Sequence, residues 1–343
     1  MSDLYIEGNG SGPDLVLLHG WGLNVRVWDG LVEELRDRFR LITVDLPGHG
    51  RSAWNAGRCT PAEQAWFIHS SLASVSNRYS LLGWSLGAQI ALDLAAAMPG
   101  QIDKLILVAA TPRFAQSSDW PYGMQPAAIA KMATQLRQDY AGTVSDFLEL
   151  QVRGSAEAED VLVQLRKALL VHGQAKLEAL EAGLNILSTC DLRPTLPHVK
   201  VPTLVIAGQH DRITPPAASH ALAEALPDGR YVEMRRAAHA PFLSHRKEFA
   251  ALVEQFLRGV EATEEVGSRA ASRNSSAAEV PTATAGGNAP APAPAHAHAP
   301  AHAHAPARAK AKPKPAAKRP KPRPAKKKRM KSQARKKRKV SRR

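Results

Sequence analysis

The sequence predicts an α/β fold: a mostly parallel central sheet flanked by helices, with a helical cap inserted between two strands and a disordered C-terminal tail. Three observations predict it. Over the first 260 residues short continuous apolar runs alternate with longer helical patterns, one interval of that stretch holds helical patterns only, and beyond residue 260 almost no large apolar side chains occur. Alternation of this kind marks helices layered on a parallel sheet. A segment without large apolar side chains has too little to bury to offset the entropy of ordering it.

The elements follow in order. DLVLLH (14–19), RLITVD (40–45), YSLLGW (79–84), KLILVAA (104–110) and TLVIAG (203–208) are unbroken apolar runs, as expected of strands covered on both faces. RYVEMR (230–235) is a further candidate strand. Between them VWDGLVEELRDRF (27–39), PAEQAWFIHSSLASV (61–75) and LGAQIALDLAAAM (86–98) read as helices. From about Thr111 to Pro202 no strand pattern occurs. Four helical stretches fill that interval, around PAAIAKMATQLRQDY, TVSDFLELQVRG, AEDVLVQLRKALLVHG and AKLEALEAGLNIL, and they must sit outside the sheet. The expected organisation is therefore core at 1–110, cap at 111–202, core again at 203–260, a disordered linker at 261–307 and a disordered basic tail at 308–343.

Charge divides at the same place. Residues 261–343 carry 22 Lys and Arg against 4 Glu, a local charge of +18, whereas residues 1–260 come to about −3. The basic character belongs to the tail and says nothing about the folded part. Cys59 and Cys190 have no CxxC or metal-ligand pairing around them, which fits a reducing compartment. MSDLYIEGNGSGPD has acids where a secretory leader needs a basic patch and an apolar run, and no segment reaches the roughly 20 apolar residues of a spanning helix. The expectation is a cytoplasmic protein, away from membranes.

Chemistry concentrates at Gly83-Trp84-Ser85-Leu86-Gly87. This is G-x-S-x-G set directly between a buried strand and a helix, the context of a nucleophile elbow. Such a turn strains the serine backbone and leaves no room for side chains beside it, hence the two glycines. It pushes the hydroxyl out of the sheet edge and leaves the Leu86 amide at a helix N-terminus, where it would meet negative charge developing on a carbonyl. A serine needs a base, and the base a carboxylate, in the chain order Ser, Asp, His. Asp211, three residues past TLVIAG, and His239, in RRAAHAPFLSHRKEF, fall where that scheme needs them. His210, His245, His19 and Asp191 are weaker rivals: His210 should point away from Asp211 on an extended segment, and Asp191 should cap or pair at the end of the cap. His19-Gly20-Trp21-Gly22 follows the first buried strand, so the Trp21 amide is the second candidate oxyanion donor.

LVLLHGWGLNVRVW, VDLPGHGRS, LLGWSLGAQIAL, FLELQ, STCDLRPTL and AAHAPFLSH together resemble the pimeloyl-acyl carrier protein methyl ester esterase family of α/β-hydrolases, over about residues 4–257. The resemblance implies the α/β-hydrolase fold and a serine carboxylesterase acting in biotin synthesis. It implies Ser85, Asp211 and His239 as the triad and the amides of Trp21 and Leu86 as the oxyanion hole. It also implies a substrate channel lined by Phe147, Leu148, Glu149, Leu150 and Gln151, no metal or organic cofactor, and an acidic carrier protein docked on basic residues of the cap. Arg153, Arg166 and Lys167 are available for docking, but Glu157, Glu159 and Asp160 stand where bases would be welcome. A monomer is expected.

Residues 308–343 hold 20 basic side chains and no acid, with no aromatic among them. That composition predicts nonspecific, salt-dependent contact with nucleic-acid phosphates and no base stacking, or steering of an acidic carrier. The His-rich AHAHAPAHAHAP is assigned no metal site. Two alternatives remain: a general short-acyl carboxylesterase of the same fold, and a nucleic-acid-associated scaffold that works through the tail. Dehalogenases and epoxide hydrolases resemble this fold but carry Asp where Ser85 stands.

Overall fold

Each apolar run turns out to face two ways. In the computed structural model, which describes residues 4–260, seven strands form one sheet in the order β1-β3-β2-β4-β5-β6-β7. They are β1 (Ile6–Asn9), β2 (Asp14–Leu18), β3 (Arg40–Val44), β4 (Tyr79–Trp84), β5 (Ile102–Val108), β6 (Thr203–Gly208) and β7 (Gly229–Met234). Only β1 runs antiparallel; every other pairing is parallel. Val16 and Leu18 of β2 belong to one apolar cluster, Leu15 and Leu17 to the other. The same alternation repeats in β4, β5 and β6, which is why the strands are apolar without interruption.

The helices close the two faces. α1 (Asp29–Leu35), preceded by a 3₁₀ turn at Val25–Trp28, packs with α10 (Arg246–Arg258) on the face of Leu15 and Leu17. α2 (Pro61–Leu72), α3 (Leu86–Ala97) and α8 (Pro216–Ala225) cover the other face. α2 starts with a reciprocal capping box, Thr60 accepting from the Glu63 amide and the Glu63 carboxylate accepting from the Thr60 amide, with Pro61 in the first turn. The cap consists of α4 (Pro126–Gln138), α5 (Tyr140–Val152), α6 (Ala158–His172) and α7 (Leu177–Thr189). The short α9 (Pro241–Ser244) completes the set.

Three boundaries differ from the sequence reading. β1 was not expected, because IEGN is short, half-exposed and lacks alternation; as an edge strand it needs only one neighbour. KLILVAA ends as a strand at Val108, since Ala109 takes a left-handed φ of 47°. The stretch 27–39 is not one helix: it breaks at Leu35, and the Arg36 carbonyl accepts instead from the Ser11 amide in the β1–β2 turn. The linker expected at 261–307 and the basic tail expected at 308–343 lie outside the described residues. Among the described residues no helix is long and apolar enough to cross a membrane.

The cap is fastened over the carboxyl ends of the parallel strands. Trp21 Nε1 donates to the Leu180 carbonyl of α7 at 2.9 Å, and Asn24 Nδ2 to the Ala168 carbonyl of α6 at 2.9 Å. The Lys176 amide donates to Gly48 O at 2.7 Å, and His172 Nδ1 lies 3.3 Å from the buried Asp45 carboxylate. Where the chain leaves and rejoins the sheet, Arg113 pairs with Asp191 at 2.9 Å, and Asp191 also binds Arg193. The expectation that Asp191 serves a local ion pair holds. Ligands of open α/β sheets gather at this edge.

Candidate active site

Ser85 sits at the tip of β4 with φ 55° and ψ −116°, a conformation that non-glycine residues rarely hold. The space around it explains the glycines. A Cβ on Gly83 would lie 2.4 Å from the Gly87 carbonyl oxygen, and one on Gly87 would lie 2.4 Å from Leu18 O and 2.6 Å from His19 O. Those neighbours are backbone and cannot swing away. Gly87 thus lets the start of α3 press against the end of β2, which brings the loop beginning at His19 beside Ser85. Gly20 adds to this, since a Cβ there would stand 3.3 Å from Ser85 Cβ.

The loop at His19 is held from below. Leu46 N donates to His19 Nε2 at 2.9 Å, so Nδ1 carries the proton and donates to Gly20 O at 2.8 Å. Burial pushes the His19 pKa below its ordinary value and keeps the ring neutral. His19 is therefore a support for the loop and no rival for the base. Leu86 is the first residue of α3, where an amide has no partner within the helix. Among the described residues neither the Leu86 nor the Trp21 amide donates to a protein acceptor.

Asp211 and His239 meet Ser85. His239 Nε2 lies 3.0 Å from Ser85 Oγ, and His239 Nδ1 lies 2.8 Å from Asp211 Oδ2. All three side chains are buried. Each acceptor position of the Asp211 carboxylate is occupied: Oδ1 accepts from the amides of Ile213 and Thr214 at 2.8 and 3.0 Å, and Oδ2 from Thr214 Oγ1 at 2.7 Å as well as from the imidazole. A carboxyl group so held cannot rotate, and its Oδ2 accepts from Nδ1–H, which fixes the imidazole tautomer and leaves Nε2 a lone pair facing the hydroxyl.

The backbone of His239 is fixed too. Trp84 Nε1 donates to the His239 carbonyl at 2.8 Å, and the Trp84 ring lies 5.6 Å from the imidazole. Trp28 and Phe242 pack against Trp84, so Trp84 is core filling and a support for His239 at once. Gly208 permits the crossing of the two loops, because a Cβ there would be 2.0 Å from Ala238 O. Thr214, Gly208 and the Trp84 bond escaped the sequence reading. Only Thr214 left a trace, as a hydroxyl three residues after an Asp in a turn segment.

Helix geometry divides the FLELQ segment. Phe147, Leu148 and Gln151 are buried on α5, and Phe147 meets the Trp21 ring edge-on at 5.0 Å. Gln151 O accepts from the His239 amide at 3.1 Å. Leu150 is half-buried against the cap core. Glu149 points the other way and does not line the site: it is exposed and paired with Arg166 of α6 at 2.9 Å. That pair also engages one of the expected docking bases, while Arg153 and Lys167 remain exposed. Glu159 and Asp160 lie in the first turn of α6, where acids complement the helix dipole. His245 is at the start of α10, bonded to Ser244 Oγ at 2.8 Å, away from the triad.

Comparison with known proteins agrees with this architecture. The Alpha/beta hydrolase family matches residues 15–252. The pimeloyl-[acyl-carrier protein] methyl ester esterase of Nitrosomonas europaea is 44% identical over 250 residues, covering 73% of this chain and 97% of that protein. The enzyme of the same name from Stenotrophomonas maltophilia is 41% identical over 257 residues, covering 75% and 97%. Among solved structures, an esterase from Exiguobacterium antarcticum superimposes with a TM-score of 0.67 at 26% identity, covering 74% of this chain and 95% of that one.

Proposed function

The chain belongs to the pimeloyl-[acyl-carrier protein] methyl ester esterase family of α/β hydrolases, and from that premise we propose how it works and on what. It is a serine carboxylesterase that cleaves the methyl ester of a pimeloyl chain borne by acyl carrier protein, in biotin synthesis. The Ser85–His239–Asp211 line, with gaps of 3.0 and 2.8 Å, is the observation that carries the residue roles.

In this reading His239 Nε2 takes the proton of Ser85 as Oγ attacks the ester carbonyl carbon. The negative charge that forms on the carbonyl oxygen is met by the amides of Trp21 and Leu86, each donor worth about 3 to 4 kcal/mol in reactions of this type. The bond to methoxide breaks, and methanol leaves with the proton from His239. Water then attacks the acyl-serine, gives a proton to His239 and releases the pimeloyl carboxylate, and His239 returns the proton to Ser85. Asp211 accepts from Nδ1–H and steadies the imidazolium at both stages. Phe147 and Gln151 bound the site from the cap side.

The carrier protein brings the substrate, and Arg153 and Lys167 are the exposed cap bases for its acidic surface. The protein acts in the cytoplasm as a monomer. The segment 308–343, with 20 bases and no acid, supports a second and separable property, salt-dependent binding of nucleic-acid phosphates.

The test is turnover of pimeloyl-acyl carrier protein methyl ester, followed by mass loss of the methyl group. Wild type should convert it, and Ser85→Ala should lower kcat about a millionfold. A wild type that cleaves p-nitrophenyl butyrate yet leaves the carrier-borne ester intact would reject the biotin assignment and leave a general short-acyl esterase.

A further inference from the structure

The turn between α5 and α6 touches both loops that carry the acid and the base. Gln151 O accepts from the His239 amide at 3.1 Å, Gly154 O accepts from His210 Nδ1 at 2.6 Å, and the Ala156 amide donates to Arg236 O at 3.3 Å. His210 immediately precedes Asp211, and Arg236 lies three residues before His239. A six-residue stretch of the cap therefore brackets the loop after β6 and the loop after β7.

Local geometry shows that the bracket is built. Gln151 lies in the last turn of α5, where carbonyls lack a helical partner, and the His239 amide takes its oxygen. Gly154 has φ +92°, a turn that aims the carbonyl outward, and a Cβ there would sit 3.3 Å from His210 Cβ. Arg236 is left-handed at φ 60°, a conformation that surrounding contacts must hold. Both backbone groups of His239 are thus pinned, the carbonyl by Trp84 from the core and the amide by Gln151 from the cap. The His210 side chain itself is exposed and fills no core.

We infer that His210 is a positioning residue: by tying the α5–α6 turn to the Asp211 loop it holds Gln151 O on the His239 amide, and so sets the reach of the imidazole toward Ser85. The inference rests on the reading of Ser85 and His239 as nucleophile and base. It gives the cap a part in aligning the base, beyond roofing the site.

The experiment compares wild type, His210→Ala and His210→Asn as full-length chains on p-nitrophenyl butyrate, with active sites counted by a fluorophosphonate titrant and kcat and KM determined separately. His210→Ala should lower kcat about tenfold and leave KM within about twofold, the scale of one lost hydrogen bond and a small misplacement. His210→Asn, whose carboxamide N–H can replace Nδ1–H, should restore most of the loss. A wild-type kcat in His210→Ala overturns the inference, and so does an equal loss in the Ala and Asn variants. A wild type with no turnover removes the reading beneath it and the inference together, whereas an active wild type beside an unaffected Ala variant removes the inference alone.

Discussion

Ser85 and His239 stand 3.0 Å apart, yet the chain holds them by different means. Ser85 is fixed by covalent and steric constraints within one pentapeptide, where two glycines admit backbone oxygens at distances that no Cβ would tolerate. His239 is fixed by hydrogen bonds that arrive from far along the sequence: Asp211 on the ring, Trp84 on the carbonyl and Gln151 on the amide. The first arrangement resists gradual adjustment and should fail sharply when altered. The second is a sum of separate bonds and should fail in steps, so the two halves of the site ought to answer mutation differently.

The largest step on the base side should come from Asp211→Asn. An Asn that keeps its oxygen on the amides of Ile213 and Thr214 turns its N–H toward Nδ1, and the imidazole loses the acceptor that sets its tautomer. On the precedent of the equivalent change in serine proteases, kcat should fall about ten-thousandfold with KM little changed. Stopped-flow turnover of a p-nitrophenyl ester at fixed active-site concentration measures it. A loss of only a few-fold would mean that the carboxylate does not orient the ring.

Gly87→Ala tests the other half. The added methyl meets Leu18 O and His19 O, so the start of α3 must move away from β2 and take the Leu86 amide with it. Overpacking of this kind costs about 1 to 3 kcal/mol of stability. A displacement near 1 Å at the reacting atoms costs about a hundredfold in rate. Urea unfolding and kcat should therefore fall together, unlike the base-side variant, in which rate falls alone. An Ala variant with native stability and rate would show that steric closure does not govern the nucleophile side.

The contrast also explains what could be read from the sequence. The Ser85 side is written in consecutive residues, so G-x-S-x-G between an apolar run and a helix points to Ser85 and Leu86, and HGWG points to the facing loop. Asp211 and His239 were reachable because each follows a strand at the carboxyl edge of the sheet. The supports of the base were not reachable: Gln151, His210 and Gly208 act through backbone meetings between segments distant in the chain, and no local pattern encodes these. Glu149 was misplaced for the converse reason, since a five-residue motif names a segment while the helical period turns one of its members to solvent. β1 lacked a signal because a short edge strand needs neither alternation nor full burial.

Histidine chemistry gives the smallest and most graded difference between the halves. The nucleophile side rests on His19 and His49, both buried, with ring centroids 5.3 Å apart. Burial, with His19 close by, lowers the His49 pKa from 6.5 to about 3, and burial lowers that of His19 as well. The sign follows from proton uptake. Above pH 6.5 neither the folded nor the unfolded chain protonates these rings; between 6.5 and about 3 the unfolded chain binds a proton at His49 that the native chain refuses. Stability must then decline as the pH falls through that window, by up to about 1.4 kcal/mol per pH unit from His49. Urea unfolding at pH 7 and pH 5 should show the decline in wild type and a shallower one in His49→Asn, whose amide can still donate to Pro47 O as His49 Nδ1 does at 3.1 Å. An unchanged slope in the variant would mean that His49 takes up its proton in the folded state, and the acid sensitivity would then have to be sought elsewhere.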